Sequence, residues 1–344
     1  MSVRYEIRAA LPEDEEPLLA LAHHLNTVNL PNDRGHVQRL LEHSKKSFAG
    51  EIRSASHRKF VFVLWDLREK RAVGTSMVVA QLGRRDAPYI YLDVIDEEKY
   101  SRAVDKHFHH QILRIGFSYK GPTEIGGLVV LPEYRAARER LGLLISYVRF
   151  LYIAAHRDQF QNEVLAELLP PLESDGTSHL WEALGRHFCD MSYAEADLLS
   201  SENKEFIKDL FPSGLIYASL FSKDAQSVIG KVGAQTKGVE KMLKRVGFRY
   251  AHRVDPFDGG PHFTAPTDEI SLVQETELRR FAGPLGGGAR EHGLVAREND
   301  GPPYFRAVFA DLDRVNKDLV KLSGDTIEHL GLEPETSLAV LPFA

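Results

Sequence analysis

The chain has 344 residues, 43% apolar and 27% charged, which is enough apolar content to bury one large core or two modest ones and excludes disorder as the default state. A net charge of −6 without any long lysine or arginine block excludes the electrostatic footprint of a nucleic-acid binder and points to small molecules or proteins as partners. The N-terminus carries no basic stretch leading into an apolar one, no apolar run is long enough to span a bilayer, and Cys189 is the single cysteine, so a cytoplasmic protein with no membrane segment and no disulfide is expected.

Residues 3–9 alternate as a strand does, and the acidic start of ALPEDEEPLLALAHHL predicts a helix. A second helix is read from Val37, Leu40, Leu41, Ser44 and Phe48. KFVFVLWD and AVGTSMVVAQ, joined by the polar LREKR, predict an antiparallel hairpin, with PYIYLDV as a third strand. In Lys106–His110 the pattern KHFHH reads as a solvated helix face bearing His107 and His110, and no metal is expected there. EIGGLVVL predicts a strand, and Leu141, Leu144, Ile145, Val148 and Leu151 a long helix after it.

NEVLAELL reads as a buried strand, and residues 170–230 as a helical insertion whose Trp181, Phe188 and Tyr193 fill a core. Val239, Met242, Leu243 and Val246 predict a helix that stops at Gly247, before FRYAHRV begins a strand and DPFDGGP turns the chain. FAGPLGGGAREHG has the composition of a linker, and the rest reads as a small β-rich unit. The expected division is therefore 1–270, with the insertion at about 170–230, followed by a linker and C-terminal subdomain over 271–344.

The order of these elements, and the segment LVVLPEYR with Leu128, Val130, Pro132, Tyr134 and Arg135, resemble the GNAT superfamily of acyl-CoA N-acyltransferases. The resemblance implies an α/β (α+β) fold in which the pantetheine arm of an acyl-CoA pairs with the strand while its pyrophosphate meets amides at the following helix N-terminus. The superfamily loop has two glycine-like positions. Here it reads Arg135-Ala-Ala-Arg138-Glu-Arg140-Leu-Gly142, so three arginines stand where glycines are scarce, and charge-assisted bonds from them are expected to hold the phosphates.

A narrower likeness follows. RFLYIAAHRDQF, LWEALGRHFCDMSYAEADLL, FIKDLF, AQSVIGKVGAQT, GFRY and FDGGP, in this order, together with LVAREN, FRAV and LGLEPETSLAVL in the tail, resemble the arginine N-succinyltransferase family over essentially the whole chain. That resemblance implies transfer of succinyl from succinyl-CoA to the α-amine of arginine or ornithine in arginine catabolism, without a metal. The position of Leu128 is the one that contacts the acyl-CoA.

Two departures bear on chemistry. The family's histidine in a Q-V-H-P-Q-T segment is replaced by Gly233 in Lys231-Val-Gly-Ala-Gln-Thr236, and glycine cannot move a proton. HHLNTVNLPN at 23–32 also differs from the family's glycine-rich acceptor-facing stretch.

His262, after FDGGP, is a weak alternative base, with a surface turn histidine as the plainer reading. Gln235 and Asp258 are acceptor-side candidates, although Asp258 equally fits a hairpin turn. Three readings stay open: a succinyltransferase with a relocated base, an acyltransferase using another amine or another donor such as acetyl-CoA, and a silent paralogue acting as a regulatory subunit. In each, a homo-oligomer or a hetero-oligomer with a paralogous subunit is expected.

Overall fold

The computed structural model describes residues 3–23, 30, 32–173, 176–200, 203–287 and 291–343. The chain opens with β1 (Tyr5–Ala9) and α1 (Glu15–Ala22), with Glu15 and Glu16 in the helix's positively polarised first turn. α2 (Arg34–Phe48) starts where the Asp33 side chain accepts from the His36 amide at 2.6 Å, and it buries Val37, Leu40, Leu41 and Ser44 as its spacing predicts. β2 (Lys59–Asp66) and β3 (Arg71–Val79) form the expected antiparallel hairpin.

β4 (Tyr89–Ser101) and β5 (Lys106–Ser118) follow, then β6 (Thr123–Val130), α3 (Leu141–Ala155) and β7 (Glu163–Glu167). The insertion comprises α4 (His179–Ala183), α5 (Gly185–Cys189), α6 (Tyr193–Ser200), α7 (Glu205–Leu210), the short β8 (Ile216–Tyr217) and α8 (Lys223–Val228). α9 (Lys237–Arg245), β9 (Arg249–Val254), β10 (Pro261–Pro266) and α10 (Ser271–Gln274) precede the tail. The tail holds β11 (Glu277–Pro284), β12 (Glu291–Glu298), β13 (Phe305–Arg314), β14 (Leu319–Leu322), α11 (Gly324–Leu330) and β15 (Ser337–Phe343). This is the expected mixed α/β (α+β) fold, with a helical insertion and a β-rich tail.

Two expectations are corrected. KHFHH is strand, not helix: β4 and β5 pair over their whole length, with Glu98 opposite His109 and Tyr100 opposite His107. The two-residue alternation of a strand brings His107 and His109 onto one face, with ring centroids 4.8 Å apart, and sends His110 to the other. The linker-like FAGPLGGGAREHG begins inside β11 and ends inside β12. Phe281 is a core residue, and Gly283 (φ +127°) marks a register shift against β14, so that glycine serves a bulge within a strand.

Contacts divide the chain into two units, cut at other places than the 270/271 boundary read from sequence. One comprises Met1–Gln81, Ile125–Asn162 and Thr267–Ala344. Here β1, β2 and β3 lie side by side, and β2 and β3 are buried along nearly their full length because both faces are covered. Leu18, Leu21, Val37, Leu40 and Leu41 of α1 and α2 pack on Val61, Val63 and Met77. Phe60 and Phe62 instead join an aromatic cluster with Phe48, Tyr152 and Phe305. In the tail, β13 pairs with β12, β12 with β15, β15 with β11, β11 with β14 and β14 again with β13, a closed ring around Phe281, Val295, Val308, Leu312, Val320 and Val340. β13 divides its second edge, giving Arg306–Val308 to β1 and Leu312–Arg314 to β14.

The other unit comprises Leu82–Glu124 and Glu163–Pro266. Its strands run β7, β10, β9, β4, β5, β8, and Thr123 and Glu124 at the start of β6 pair in parallel with Val164 and Leu165 of β7. The insertion packs Leu180, Trp181, Leu184, Ile207 and Phe211 onto Ile90, Leu92, Leu113 and Val254. Trp181 and Tyr193 therefore do fill a core, whereas Phe188 lies at its exposed edge.

Candidate active site

The candidate residues fall in both units. In the first, β6 bends at Gly127 (φ +57°) and ends at Val130, and a one-turn 3-10 helix, Pro132–Tyr134, leads to α3. The three arginines of the loop take separate tasks. The Arg135 side chain turns back, its Nε donating to the Val130 carbonyl at 2.9 Å. Arg140 occupies the N-cap of α3 in the left-handed region (φ +54°), and its carbonyl accepts from the Leu143 and Leu144 amides.

Because an arginine cap offers no side-chain acceptor, the amides ahead of Leu143, those of Leu141 and Gly142, lack a side-chain cap, which is the arrangement that receives phosphate oxygens. A side chain built at Gly142 meets no atom within 4 Å, so an approaching group finds open space there. Arg138 lines a recess of about 490 Å³ with Arg4, Tyr5, Arg71 and Tyr134. Arg4 and Arg71 are already paired with Asp66 and Glu133. Leu128 is half-buried on β6, just past the bend.

In the second unit, His262 opens β10 and stands in register with Glu167 at the end of β7. It is not a surface turn residue: its side chain is fully buried. Nδ1 lies 2.9 Å from the Tyr89 hydroxyl and Nε2 3.4 Å from Glu167 Oε1, yet Nε2 has no hydrogen-bond partner. Burial, reinforced by the positive charges of Arg253 and Lys204, lowers the His262 pKa to about 3, so the ring is neutral. Glu167 keeps about a third of its side chain exposed. Withdrawal from water, then the negative charges of Glu124, Asp255 and Asp258, push its carboxyl well above the usual carboxylate range, with Lys204 opposing them.

Asp255 and Asp258 are held by the DPFDGGP turn. Asp255 Oδ1 accepts from the Phe257 amide at 2.7 Å, and Asp258 Oδ1 from the Gly260 amide at 2.7 Å, so the turn role anticipated for Asp258 is realised. Gly259 at φ +79° permits the reversal. The insertion fixes this turn: Trp181 stacks on Phe257 at 5.1 Å, and Ser178 Oγ donates to the Phe257 carbonyl. Burial pushes Asp255 upward against the pull of Lys204 and two backbone hydrogen bonds, and burial with neighbouring carboxylates pushes Asp258 upward and Asp197 of α6 to about 7. Ligand atoms of Glu167, Asp255 and His262 lie within 4.8 Å of one another, an acidic cluster around a buried ring.

Gly233 lies at the same strand end. Its amide donates to the Leu169 carbonyl at 2.9 Å, two residues beyond Glu167, and Gln235 is exposed on the adjoining turn. A Cβ at Gly233 would stand 2.6 Å from the Pro170 carbonyl oxygen and 3.0 Å from that of Leu169. The divergent segment 23–32 lies largely outside the described residues, since 24–29 and 31 are not among them.

Sequence reasoning missed Tyr89, Glu167, Asp197 and Lys204, which come from separate segments with no local signature, and passed over Asp255 although it opens the DPFDGGP turn. It also missed Arg149, whose signal was present: one charge within the apolar run LGLLISYVRFLYIAA.

The family described as "Arginine N-succinyltransferase beta subunit" matches residues 5–272 of this chain. An arginine N-succinyltransferase of Yersinia pestis (strain Pestoides F) is 29% identical over 323 residues, covering 91% of this chain and 90% of its own. One from Salmonella paratyphi B is 32% identical over 295 residues, covering 85% and 84%. Among solved structures, the arginine/ornithine succinyltransferase subunit AI from Pseudomonas aeruginosa superposes with a TM-score of 0.83 at 26% identity, over 99% of each chain. With a family match across well over half its length and a relative above 30% identity, the chain belongs to the arginine N-succinyltransferase family.

Proposed function

We propose that this protein transfers an acyl group, succinyl in the first instance, from acyl-CoA to the α-amine of arginine or ornithine, with Glu167 rather than a residue at 233 as the proton acceptor. The observation that carries this reading is the Glu167–His262 pair at the β7 end to which the Gly233 loop is hydrogen-bonded. His262 is wholly buried and cannot touch an amine, so it acts behind Glu167, which retains an exposed face. A carboxyl raised above the usual carboxylate range is a stronger base than an ordinary one, which suits a general base.

Open amides at the start of α3 and Arg138 hold the CoA phosphates, and Leu128 and Val130 accompany the pantetheine arm. The acceptor arrives as an ammonium ion beside Glu167 and Asp255, whose carboxylate oxygens favour a cation, and gives one proton to Glu167 and on to solvent. The free amine attacks the thioester carbonyl carbon, the C–S bond breaks as the amide forms, and the second amine proton goes to the departing CoA sulfur. The products are the N-acyl amino acid, CoA thiol and one proton.

No helix among the described residues is long and apolar enough to cross a membrane. A cytoplasmic setting and assembly with like or paralogous subunits complete the proposal.

Thiol release measured with succinyl-CoA should require arginine or ornithine, and Glu167→Gln should lower kcat by about 10²- to 10⁴-fold while CoA affinity holds. Full activity in that variant would remove Glu167 from the mechanism. No thiol release with any basic amino acid would remove the reaction.

A further inference from the structure

Arg149 lies in the third turn of α3 and is 2% exposed. A guanidinium remains charged at ordinary pH, and withdrawing it from water is costly unless an anion answers it. Among the described residues no carboxylate lies within ion-pair distance. Nε donates to the Ser146 carbonyl at 3.0 Å, Nη2 to the Ser146 hydroxyl at 2.7 Å, and Nη1 reaches the Gly126 carbonyl only at 3.5 Å. These neutral acceptors occupy three of the five guanidinium N–H groups. Burial alone, without any neighbouring charge, lowers its pKa to about 9.

The position of this charge is informative. Gly126 adjoins Gly127, where β6 bends, immediately before the Leu128–Val130 stretch assigned to the acyl-CoA. Along the helix, Arg149 is about 12 Å from the first turn of α3, at 1.5 Å per residue. An extended pantetheine arm whose phosphates rest on that first turn covers such a distance, which brings the acyl end to the bend. A neutral acyl chain gives the guanidinium nothing, whereas a dicarboxylic one ends in the anion it lacks.

We propose that Arg149 receives the free carboxylate of a dicarboxylic acyl-CoA and so selects a succinyl-type donor over a neutral chain of equal length. The inference rests on the acyl-CoA reading above. The rival role is that of a brace between α3 and the β6 bend, and the two differ in what they do to discrimination.

Calorimetry with CoA, succinyl-CoA and butyryl-CoA, on the wild type, Arg149→Lys and Arg149→Met, separates them. The wild type should bind succinyl-CoA roughly 30-fold or more tighter than butyryl-CoA. Arg149→Met should bring that ratio close to one with CoA affinity retained, and Arg149→Lys should keep part of it. A wild-type ratio near one overturns the proposal, as does a ratio preserved in Arg149→Met or an equal weakening of all three ligands there. If Arg149→Met fails to fold, the wild-type ratio and its decline in Arg149→Lys decide. A wild type that binds none of the three refutes the acyl-CoA reading itself, whereas one that binds CoA without discriminating refutes this inference alone.

Discussion

Glu167 has opposite consequences for rate and for stability as pH changes. Its carboxyl is raised in the folded protein, so the reactive carboxylate accumulates, and the rate climbs, as pH passes through that raised value. Ionisation is easier in the unfolded chain, so its contribution to stability falls between the ordinary carboxylate pKa and the raised one. Glu167→Gln should therefore give a low rate that no longer shows this limb, while its melting temperature at pH above the raised value equals or exceeds that of the wild type. A pH–rate profile beside a pH series of thermal melts checks both.

Position 233 carries a second residue-scale expectation. From sequence alone, restoring the family's histidine there should raise the rate. The carbonyls of Leu169 and Pro170 already fill the space where its Cβ would go. Gly233→His should instead destabilise by roughly 1–3 kcal/mol without a gain in turnover, which thermal melts and thiol release together will show.

Among elements, the segment joining β6 to α3 was legible because its signal is contiguous: a strand, a proline, clustered arginines and a helix with apolar spacing. What the sequence did not divide was the labour among the arginines, since Arg135 bonds to a carbonyl five residues back while Arg138 faces a recess. Arg138→Glu should weaken CoA binding about tenfold or more with an unchanged melt, by setting a negative charge against the phosphates. Arg135→Ala should chiefly lower stability, by about 0.5–1.5 kcal/mol for the lost bond.

The β4–β5 hairpin was only half legible. Its outer part, with Tyr100 and Phe108 more than half exposed, has no buried face to impose alternation. The acidic cluster around Glu167 was the least legible, because Glu124, Glu167, Asp197 and Asp255 are brought together only through pairings and packing between distant segments.

β1 shows how such distant pairing holds a unit together. Burial alone would raise the pKa of Glu6, but hydrogen bonds from His329 and Arg306 hold it down to about 2. That stabilisation is complete above the ordinary carboxylate pKa and is lost as pH falls toward 2. Glu6→Gln, by leaving Arg306 partly buried and without its carboxylate, should cost about 3 kcal/mol at pH 7 and progressively less in acid, measured by denaturant titration across pH.

At the scale of the whole molecule, the tail was legible as β-rich but not as part of the unit that contains the N-terminus. Glycine-rich composition suggested a tether. Yet Phe305 of β13 joins the aromatic cluster over β2, and β13 is hydrogen-bonded to β1. A chain ending at Glu275 keeps the segment shared with the family, but it should lose cooperative melting and soluble yield, because β1 would present an unpaired edge and Phe62 an uncovered ring.

The same pairing sets a timetable for synthesis. Arg306 meets Glu6 across 300 residues, so at about 5–20 residues per second β1 waits roughly 15–60 s on the ribosome for its partner strand to be made. During that interval its free edge is exposed to neighbouring nascent chains, and the unit that carries α3 closes only after translation is almost complete.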